Sequence, residues 1–534
     1  MPRQKSQRNR PSATSSSIKK HPNDNPNSPF MKIRFLILLL LLPAVMQAQT
    51  APISLVEMGI LDAPDDTSRY SMLCSAHAAA LRTGTTVSYE GLDTLRLAIP
   101  PRDNIAIPIG PHNDFSHVVL LVSNCVRGGS LFTYERRPDL QLSALDTVDG
   151  ITPSTLNRAI DSGNFTFHPL LAHGTWVIEV TDSTPWVGQR AGHAYGHFRK
   201  ELIHLREGRS LDSPVMPFGG TISSPHLRCY AVSDTLFTFS NVTLLRDSAS
   251  TARTYLLSAE NIYDARLSNV TVVTPPSKLA DDCAIRIYNC HHLVLDTITI
   301  LGSYSRTDHS GYGILLDNIH FTHVHHLYAR TPWGVFGTNN MHTTLIEESD
   351  FDRFDIHCYG RDVTFRHCLQ SDSYNQFSSL HGTILYDSCT LSNFTPILIE
   401  SSYNAYPHFT LVMRHCSWHL TPERHTLMLA GRLDSPTSSR PELHNKCLPD
   451  IEIDHLQLSS TRSLRPILFH FGGKSTYATQ HGISHIDISY VPAPQSKIRS
   501  FMLSDNKISL SSTVSVTISN LLTDKVLTKK ITHF

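Results

Sequence analysis

The chain has 534 residues, 40% of them hydrophobic and 17% charged, with 46 basic and 46 acidic side chains. This composition is typical of a folded protein, and the balanced charge excludes the strongly basic surface of a nucleic-acid-binding protein. The length exceeds that of a usual single domain, although solenoids escape this limit because their core grows along one axis.

The first residues predict export. Residues 1–30 are polar, and we expect a disordered extension that is not translated if synthesis starts at Met31. Lys32 and Arg34 then precede the apolar run 35–42, and small residues follow up to Ala48. This order is typical of a signal peptide, which we place at residues 31–48; a buried core helix is the alternative. We therefore expect a periplasmic, cell-surface or extracellular protein.

Removal of the leader changes the charge. Residues 1–48 hold eight Lys or Arg and one Asp, so the mature chain keeps 38 basic and 45 acidic side chains. We therefore expect no nucleic-acid partner. No other apolar run is long enough to span a bilayer, so we expect no membrane span after signal removal. The sequence does not determine the oligomeric state.

Residues 49–90 predict an N-terminal cap. Within them, Ser68–Leu81 has apolar residues at a helical spacing. Short strand-like segments follow at residues 93–99, 105–109 and 118–122, separated by Pro and Gly.

From about residue 219 the chain is a succession of short apolar strands separated by polar turns. The apolar centres recur at intervals of 29, 22, 20, 21 and 22 residues, at Ile285, Ile314, Phe336, Ile356, Phe377 and Ile399. A repeat of this length without helices predicts a solenoid whose strands stack in parallel. We predict an all-β parallel β-helix over residues 91–495, with a C-terminal cap or tail over 496–534. A β-sandwich is the alternative.

Four of the ten cysteines close strand-like segments, and they are Cys290, Cys368, Cys389 and Cys416. This placement predicts a stack of buried free thiols at one corner of the coil, because free Cys behaves as a compact apolar residue. Disulfides are the alternative in an exported protein. Zinc-ligand spacings are missing, so we predict no metal site and no cofactor. The pattern leaves room for a divalent cation such as calcium.

The segment 353–361 alternates between charged or aromatic residues and apolar residues, which in a strand places the two sets on opposite faces. Two carboxyl groups on this outer face could hydrolyse a glycosidic bond, whereas an imidazole or phenol with an arginine could drive elimination from a uronate. The candidate catalytic residues are Asp355, His357, Tyr359, Arg361 and Glu400. A solvated outer face without a catalytic role is the alternative.

Aromatic and amide side chains on the same coils could stack on sugar rings and bond their hydroxyls. The candidate substrate-binding residues are Trp333, Asn339, Asn340, Arg353, Tyr374, Asn375, Gln376, Tyr403 and Asn404. In the alternative interpretation, such residues form internal ladders of the solenoid.

The leader, the coil pattern and the segments 333–340 and 353–361 resemble secreted right-handed parallel β-helix proteins of the pectate-lyase-like superfamily, in particular uncharacterised members from Gram-negative gut bacteria. The resemblance implies a right-handed coil and a fold that hosts polysaccharide lyases, glycoside hydrolases, epimerases and adhesins. Asp281-Asp282-Cys283 also resembles the Asp-Asp-Cys element of polygalacturonases, but that family's Asn-Thr-Asp and Gly-His-Gly elements are not at the matching coils.

These observations predict a secreted protein that cleaves a polysaccharide in a lateral groove, as a lyase or a glycoside hydrolase. The competing hypothesis is a non-catalytic glycan-binding or adhesive surface protein.

Overall fold

The computed structural model describes residues 51–533 except 101–105, 124–128, 144–151, 190–195, 212–224, 234, 247–253, 275–282, 303–311, 332–333, 372–373, 379, 393–394, 401–408, 421–424, 432–447, 472–482, 497, 499 and 505–508. Pro52–Phe534 forms one compact unit. Of the helices in the described ranges, none is both long and apolar enough to cross a bilayer. The predicted signal peptide lies outside these ranges.

The N-terminal cap is a helix held by two short strands. β1 (Ile53–Ser54) pairs in parallel with β2 (Val87–Ser88), and a 3-10 helix (Ile60–Asp62) and α1 (Asp66–Thr83) lie between them. Asp65 caps α1 by accepting the backbone N–H of Ser68 at 2.7 Å, and Gly84 ends it in a left-handed conformation. One face of α1 is buried in the core of the first coils. The predicted helix is confirmed and extends two residues further at each end.

The first two coils follow the cap. Their strands are β3 (Thr94–Ala98), β4 (Ile107–Pro108), β5 (His112–Ser123) and β6 (Gly129–Glu135). β3 pairs in parallel with β5, and β4 with β6. Coiling therefore begins immediately after the cap.

An antiparallel sheet is inserted between the second and third coils. It contains β7 (Leu140–Ser143), β8 (Thr175–Gln189), β9 (Gly196–Arg206), β10 (Arg209–Ser210) and β11 (Pro225–Ala231), in the order β10-β9-β8-β11-β7. Helix α2 (Pro153–Ser162) packs on it and shares a separate hydrophobic core that includes Leu156, Ile178 and Leu205. Lys200 joins the insertion to the coils through its Nζ, which lies 3.4 Å from Asp317 Oδ2. The insertion interrupts the β-helix that was predicted to run continuously over residues 91–495.

The central coils contain long strands that bend around corners. They are β12 (Phe237–Arg246), β13 (Thr254–Thr274), β14 (Ile285–Gly302), β15 (Tyr312–Arg330) and β16 (Gly334–Glu347), each parallel to the next. The bends occur at residues with positive φ, where Asn is tolerated better than most residues. One corner carries Asn261, Asn289, Asn318 and Asn340, and each side-chain amide donates to the preceding one. We call these four residues the asparagine ladder.

Shorter strands continue the stack, and nearly all of them are parallel. They are β17 (Asp350–Phe351), β18 (Phe354–Arg366), β19 (Leu369–Gln370), β20 (Asn375–Phe377), β21 (Leu380–Asp387), β22 (Thr390–Leu391), β23 (Ile397–Glu400), β24 (Phe409–Arg414), β25 (Ser417–His419), β26 (Thr426–Gly431), β27 (Asp450–Ser459), β28 (Ile467–Phe471), β29 (His485–Pro492), β30 (Met502–Ser504) and β31 (Ser509–Asn520). β32 (Lys525–His533) then turns back antiparallel on β31. This hairpin covers the edge that the last coil would otherwise expose. The predicted all-β parallel β-helix with its two caps is confirmed.

The six apolar centres predicted from the repeat, Ile285 to Ile399, stack in one inner column except at one irregular step. Ile285 pairs with Ile314 and Ile314 with Phe336, while Ile356, Phe377 and Ile399 pair in succession. The intervening step differs, because Phe336 pairs with Phe354 and Ile356 pairs with Thr338. A bulge follows Thr338 in this pairing, so two residues of β18 there oppose one residue of β16. The spacing of apolar residues in the sequence does not reveal such a bulge.

Three cysteines form the predicted column of buried free thiols. Cys368, Cys389 and Cys416 are buried and unbonded to other sulfurs, and each Sγ–H donates to a backbone carbonyl at 3.3–3.4 Å. The hydrogen bond between the thiols of Cys416 and Cys389 raises the pKa of Cys416, and burial raises it further. Cys290 is also buried and free, but the residues in register with it on the neighbouring strands are Ile262 and Ile319, so it is not part of this column.

Candidate functional site

A cluster of polar side chains lies under the outer surface where β15, β16, β18 and β20 adjoin. The phenol oxygen of Tyr312 lies 2.7 Å from Asp355 Oδ2 and 2.8 Å from His357 Nε2. Arg353 bonds the same carboxylate, and Gln376 completes the set. We call Tyr312, Arg353, Asp355, His357 and Gln376 the Arg353 cluster.

Two glycines make room for this cluster. In the parallel register, Gly337 of β16 lies opposite Asp355 of β18. A Cβ atom on Gly337 would lie 2.5 Å from the ring of Tyr312, and one on Gly334 would lie 3.2 Å from the Cδ of Arg353. The absence of both side chains lets the tyrosine ring cover Asp355 and part of His357, so this end of the outer row of β18 is buried rather than solvated.

The Asp355 carboxylate is fully enclosed by donors. It has 0% exposure and accepts from Arg353 Nε at 2.6 Å, from the same guanidinium's Nη2 at 2.6 Å, from the Gln376 backbone N–H at 3.2 Å and from Tyr312. Burial alone would lower the pKa of Arg353, but the adjacent carboxylate outweighs burial and holds that pKa above its ordinary value. The bidentate geometry of the pair fixes Asp355 in place.

The hydrogen-bond pattern determines where the protons lie. An ionised carboxylate only accepts, so the Tyr312 hydroxyl donates to Asp355 and its oxygen accepts the Nε2–H of His357. The His357 side chain keeps 17% of its surface exposed, whereas those of Arg353 and Asp355 keep 3% and 0%. Asp355 is therefore a positioning residue, and the imidazole and phenol are the groups nearer to solvent.

A second polar site is an open cleft further along the same stack. It has a volume of about 580 Å³ and is lined by Val412, Arg414, Glu452, Ile453, Asp454, His485, Asp487 and Ser489. We call it the Glu452 cleft. Glu452 and Asp487 are exposed and in register on neighbouring strands, which places their Cα atoms about 5 Å apart. His485 Nε2 lies 3.3 Å from Glu452 Oε1. Retaining glycosidases use two carboxyl groups about 5–5.5 Å apart as an acid and a nucleophile, and in-register exposed carboxylates on neighbouring strands are the pair type that this chemistry uses.

No protein-family model and no curated protein match this chain. Among solved structures, it is similar to the tailspike protein of Pseudomonas phage LKA1, with 13% identity and a TM-score of 0.46, over 85% of this chain and 72% of that one. It is also similar to the tailspike of Acinetobacter baumannii bacteriophage AP22, which was solved in complex with a capsular saccharide; the identity is 10% and the TM-score 0.41, over 88% of this chain and 79% of that one. At these identities the similarity concerns the fold, and no site residue is transferred.

Several predicted site residues meet in the Arg353 cluster. Arg353, Asp355, His357 and Gln376 belong to it, and the ring of Tyr374 lies 4.3 Å from the guanidinium carbon of Arg353. Because Arg353 is buried and bonded to Asp355 and Gln376, it does not offer its charge to a uronate. Arg361 is more exposed, and its Nε lies 3.3 Å from Asp362.

Two predicted sugar-binding residues are structural instead. Asn340 belongs to the asparagine ladder and also donates to the carbonyl of Lys200 at 2.8 Å. Asn375 is fully buried, accepts the N–H of Phe354 at 2.9 Å and donates to Gln370 and Tyr386. Both side-chain amides form hydrogen bonds within the protein, as the alternative interpretation of internal polar residues predicts. Asn339 is half-buried on β16.

The remaining predicted residues are outside the described part of the structure. Trp333, Tyr403 and Asn404 fall in undescribed segments, and only the backbones of Tyr359 and Glu400 are described, in β18 and β23. Sequence reasoning missed Tyr312, because its contact with Asp355 crosses two coils. It also missed the Glu452 cleft, although Ile451-Glu452-Ile453 and Ile486-Asp487-Ile488 repeat an outward acidic residue.

Proposed function

We propose that the protein binds a uronate-containing polysaccharide over the Arg353 cluster and cleaves it by β-elimination. His357 and Tyr312 are the groups that move protons, and Asp355 and Arg353 hold them in place. The observation that carries this proposal is the Tyr312 oxygen held between Asp355 Oδ2 and His357 Nε2, at 2.7 and 2.8 Å.

The proposed reaction balances within these groups. The imidazole of His357 takes the proton α to the uronate carboxylate through its unprotonated nitrogen while the bond from the neighbouring carbon to the glycosidic oxygen breaks, and the other group is the Tyr312 hydroxyl. A carbon–carbon double bond forms, and the other group returns a proton to the leaving oxygen. General acid–base catalysis of this kind contributes about 10²–10⁴-fold to a rate. Hydrolysis is less suited to this cluster, because its one carboxylate is buried and fully bonded and glycosidases use a carboxyl pair.

The buried ion pair supports a functional role. Enclosing an ion pair costs desolvation that an apolar pair would avoid, so such pairs are weak sources of stability. Here the pair orients the phenol, and the phenol bonds the imidazole. This arrangement has the preorganised geometry that general acid–base catalysis uses, which supports the proposal.

Purified protein incubated with uronate-rich and neutral polysaccharides tests the proposal. We expect new ultraviolet absorbance from an unsaturated uronate, and at least a hundredfold lower rate in His357→Ala and Tyr312→Phe. Tyr328→Phe, an exposed tyrosine on the same strand, is the matched control and keeps the rate. New reducing ends without that absorbance would contradict elimination. Glycan retention without cleavage would instead support the binding or adhesive alternative.

A second candidate is glycoside hydrolysis in the Glu452 cleft, favoured by the exposed, in-register carboxylates of Glu452 and Asp487. In that case Glu452→Gln and Asp487→Asn abolish the release of reducing ends, while His357→Ala does not. Measuring all three variants on one substrate separates the two sites.

We also propose export through the leader at residues 31–48. N-terminal sequencing of material secreted from a bacterial host should find a chain that begins after Ala48. A secreted chain that begins at Met1 would overturn this.

A further inference from the structure

Two histidines and two carboxylates from three successive coils meet at one corner of the β-helix, away from both sites described above. Asp296 comes from β14, His325 and His326 from β15, and Glu348 follows β16. The two imidazole rings are in contact, with centroids 3.7 Å apart. We call these four residues the corner cluster.

The two sides of the imidazoles are bonded differently. Glu348 Oε2 lies 3.2 Å from the Nε2 of His325 and 3.0 Å from the Nε2 of His326, both within hydrogen-bond range. On the opposite side, Asp296 Oδ1 lies 3.8 and 3.9 Å from the two Nδ1 atoms, which is too long for a hydrogen bond. A carboxylate that accepts at Nε2 keeps that nitrogen protonated and leaves the Nδ1 lone pair available as a metal ligand.

The Nδ1 side has the dimensions of a metal site. The Asp296 oxygen and one nitrogen of each histidine all lie within 4.8 Å of one another. Tetrahedral zinc, with ligands at about 2.0–2.1 Å, holds them roughly 3.3 Å apart. The observed distances of 3.8–3.9 Å from Asp296 Oδ1 to the two Nδ1 atoms must therefore shorten by about half an ångström when zinc binds. Asp296 Oδ2 already accepts from Arg266 at 2.9 Å, and Thr297 donates to Oδ1 at 3.1 Å, so Asp296 offers one remaining ligand position through Oδ1.

We propose that the corner cluster binds a divalent transition-metal ion such as zinc through His325, His326 and Asp296, with Glu348 orienting both imidazoles. Imidazole ligands favour zinc, copper or nickel over calcium and magnesium, which prefer oxygen. The half-exposed His326 gives the ion access and leaves a further position for water. Because two ligands come from β15 and one from β14, the ion joins successive coils and stabilises the folded state by mass action.

Thermal unfolding and calorimetric titration of the full chain, after chelator treatment, test the proposal. Zinc should raise the melting temperature and bind in one stoichiometric site, whereas calcium and magnesium should not. His326→Asn, which suits the left-handed backbone at this residue, and Asp296→Asn should remove the shift and the site. Glu348→Gln should weaken the affinity by about 10–100-fold without removing it.

The matched control is His323→Ala. His323 lies two residues before His325 on the same strand, and its Nε2 lies 2.7 Å from Glu347 rather than in the cluster. This variant should bind zinc as the wild type does. The proposal is overturned if zinc produces no shift, or if His326→Asn and His323→Ala bind it equally.

Discussion

The asparagine ladder and the Arg353 cluster are both polar and largely buried, yet they differ in one respect. The ladder repeats on four successive coils, from Asn261 to Asn340, with an amide-to-amide hydrogen bond at every step. The Arg353 cluster does not repeat on the neighbouring described coils, where the positions in register with Asp355 and Gln376 are Gly337, Leu315 and Leu398. The repeated asparagines hydrogen-bond one another from coil to coil, whereas the Arg353 cluster is a local set of contacts among its own five residues.

The largest expected effect on stability comes from breaking the ion pair in the Arg353 cluster. Asp355→Ala leaves the Arg353 guanidinium buried without its carboxylate, and removing one partner of a buried pair costs about 3–5 kcal/mol. The free energy of unfolding, measured by urea denaturation, should fall by this amount. Asp161→Ala, on the exposed face of α2, is the control and should change it by less than about 0.5 kcal/mol. An equal effect of both variants would show that the cluster is not an enclosed ion pair.

A second prediction concerns a buried histidine beside the ladder. Burial, together with the nearby charges of Arg361 and His381, lowers the pKa of His342 to about 3. Below the ordinary histidine pKa of about 6.5, the unfolded chain therefore binds a proton that the folded chain does not, so stability falls as pH falls. Between pH 7 and pH 4 the wild type should lose about 3 kcal/mol more than His342→Asn. If the wild type and His342→Asn lose the same unfolding free energy between pH 7 and pH 4, the burial of a neutral His342 is contradicted.

A smaller effect is expected in the ladder itself. Asn318→Ala removes one rung: the Oδ1 of Asn289 loses its donor and the amide of Asn340 loses one of its two acceptors, which should cost about 1–3 kcal/mol of unfolding free energy. The exposed Asn269, which donates to Asn241 at 3.0 Å, is a matched comparison, and its replacement by Ala should cost less. The rate of polysaccharide cleavage by the folded Asn318→Ala protein should stay at the wild-type value. If the Asn318→Ala protein is folded but no longer cleaves the polysaccharide, the distinction between the asparagine ladder and the Arg353 cluster does not hold.

Local patterns in the sequence predict much of the fold. Alternation placed Ile285, Ile314 and Phe336 in one column, and the helical spacing near Tyr70 predicted the cap. The bulge after Thr338 was not predictable, because it shifts a pairing without changing the alternation. The inserted antiparallel sheet was also missed, since an apolar strand pattern does not show whether the strand pairs in parallel or antiparallel.

The candidate site was predictable only along one strand. Asp355 and His357 are two residues apart, so their proximity follows from strand geometry. Tyr312 joins them from 43 residues away, and its position depends on the register of three coils and on the small size of Gly337. The buried use of Asn340 and Asn375 likewise depends on partners from other coils.

The central claim is that the Arg353 cluster acts in function and the asparagine ladder in folding. The most direct test is the rate of polysaccharide cleavage by Tyr312→Phe beside that of Asn318→Ala, with both proteins folded. We predict that Tyr312→Phe loses at least a hundredfold in rate with its melting temperature little changed, and that Asn318→Ala melts lower but cleaves at the wild-type rate. A Tyr312→Phe protein that cleaves as fast as the wild type would contradict the claim.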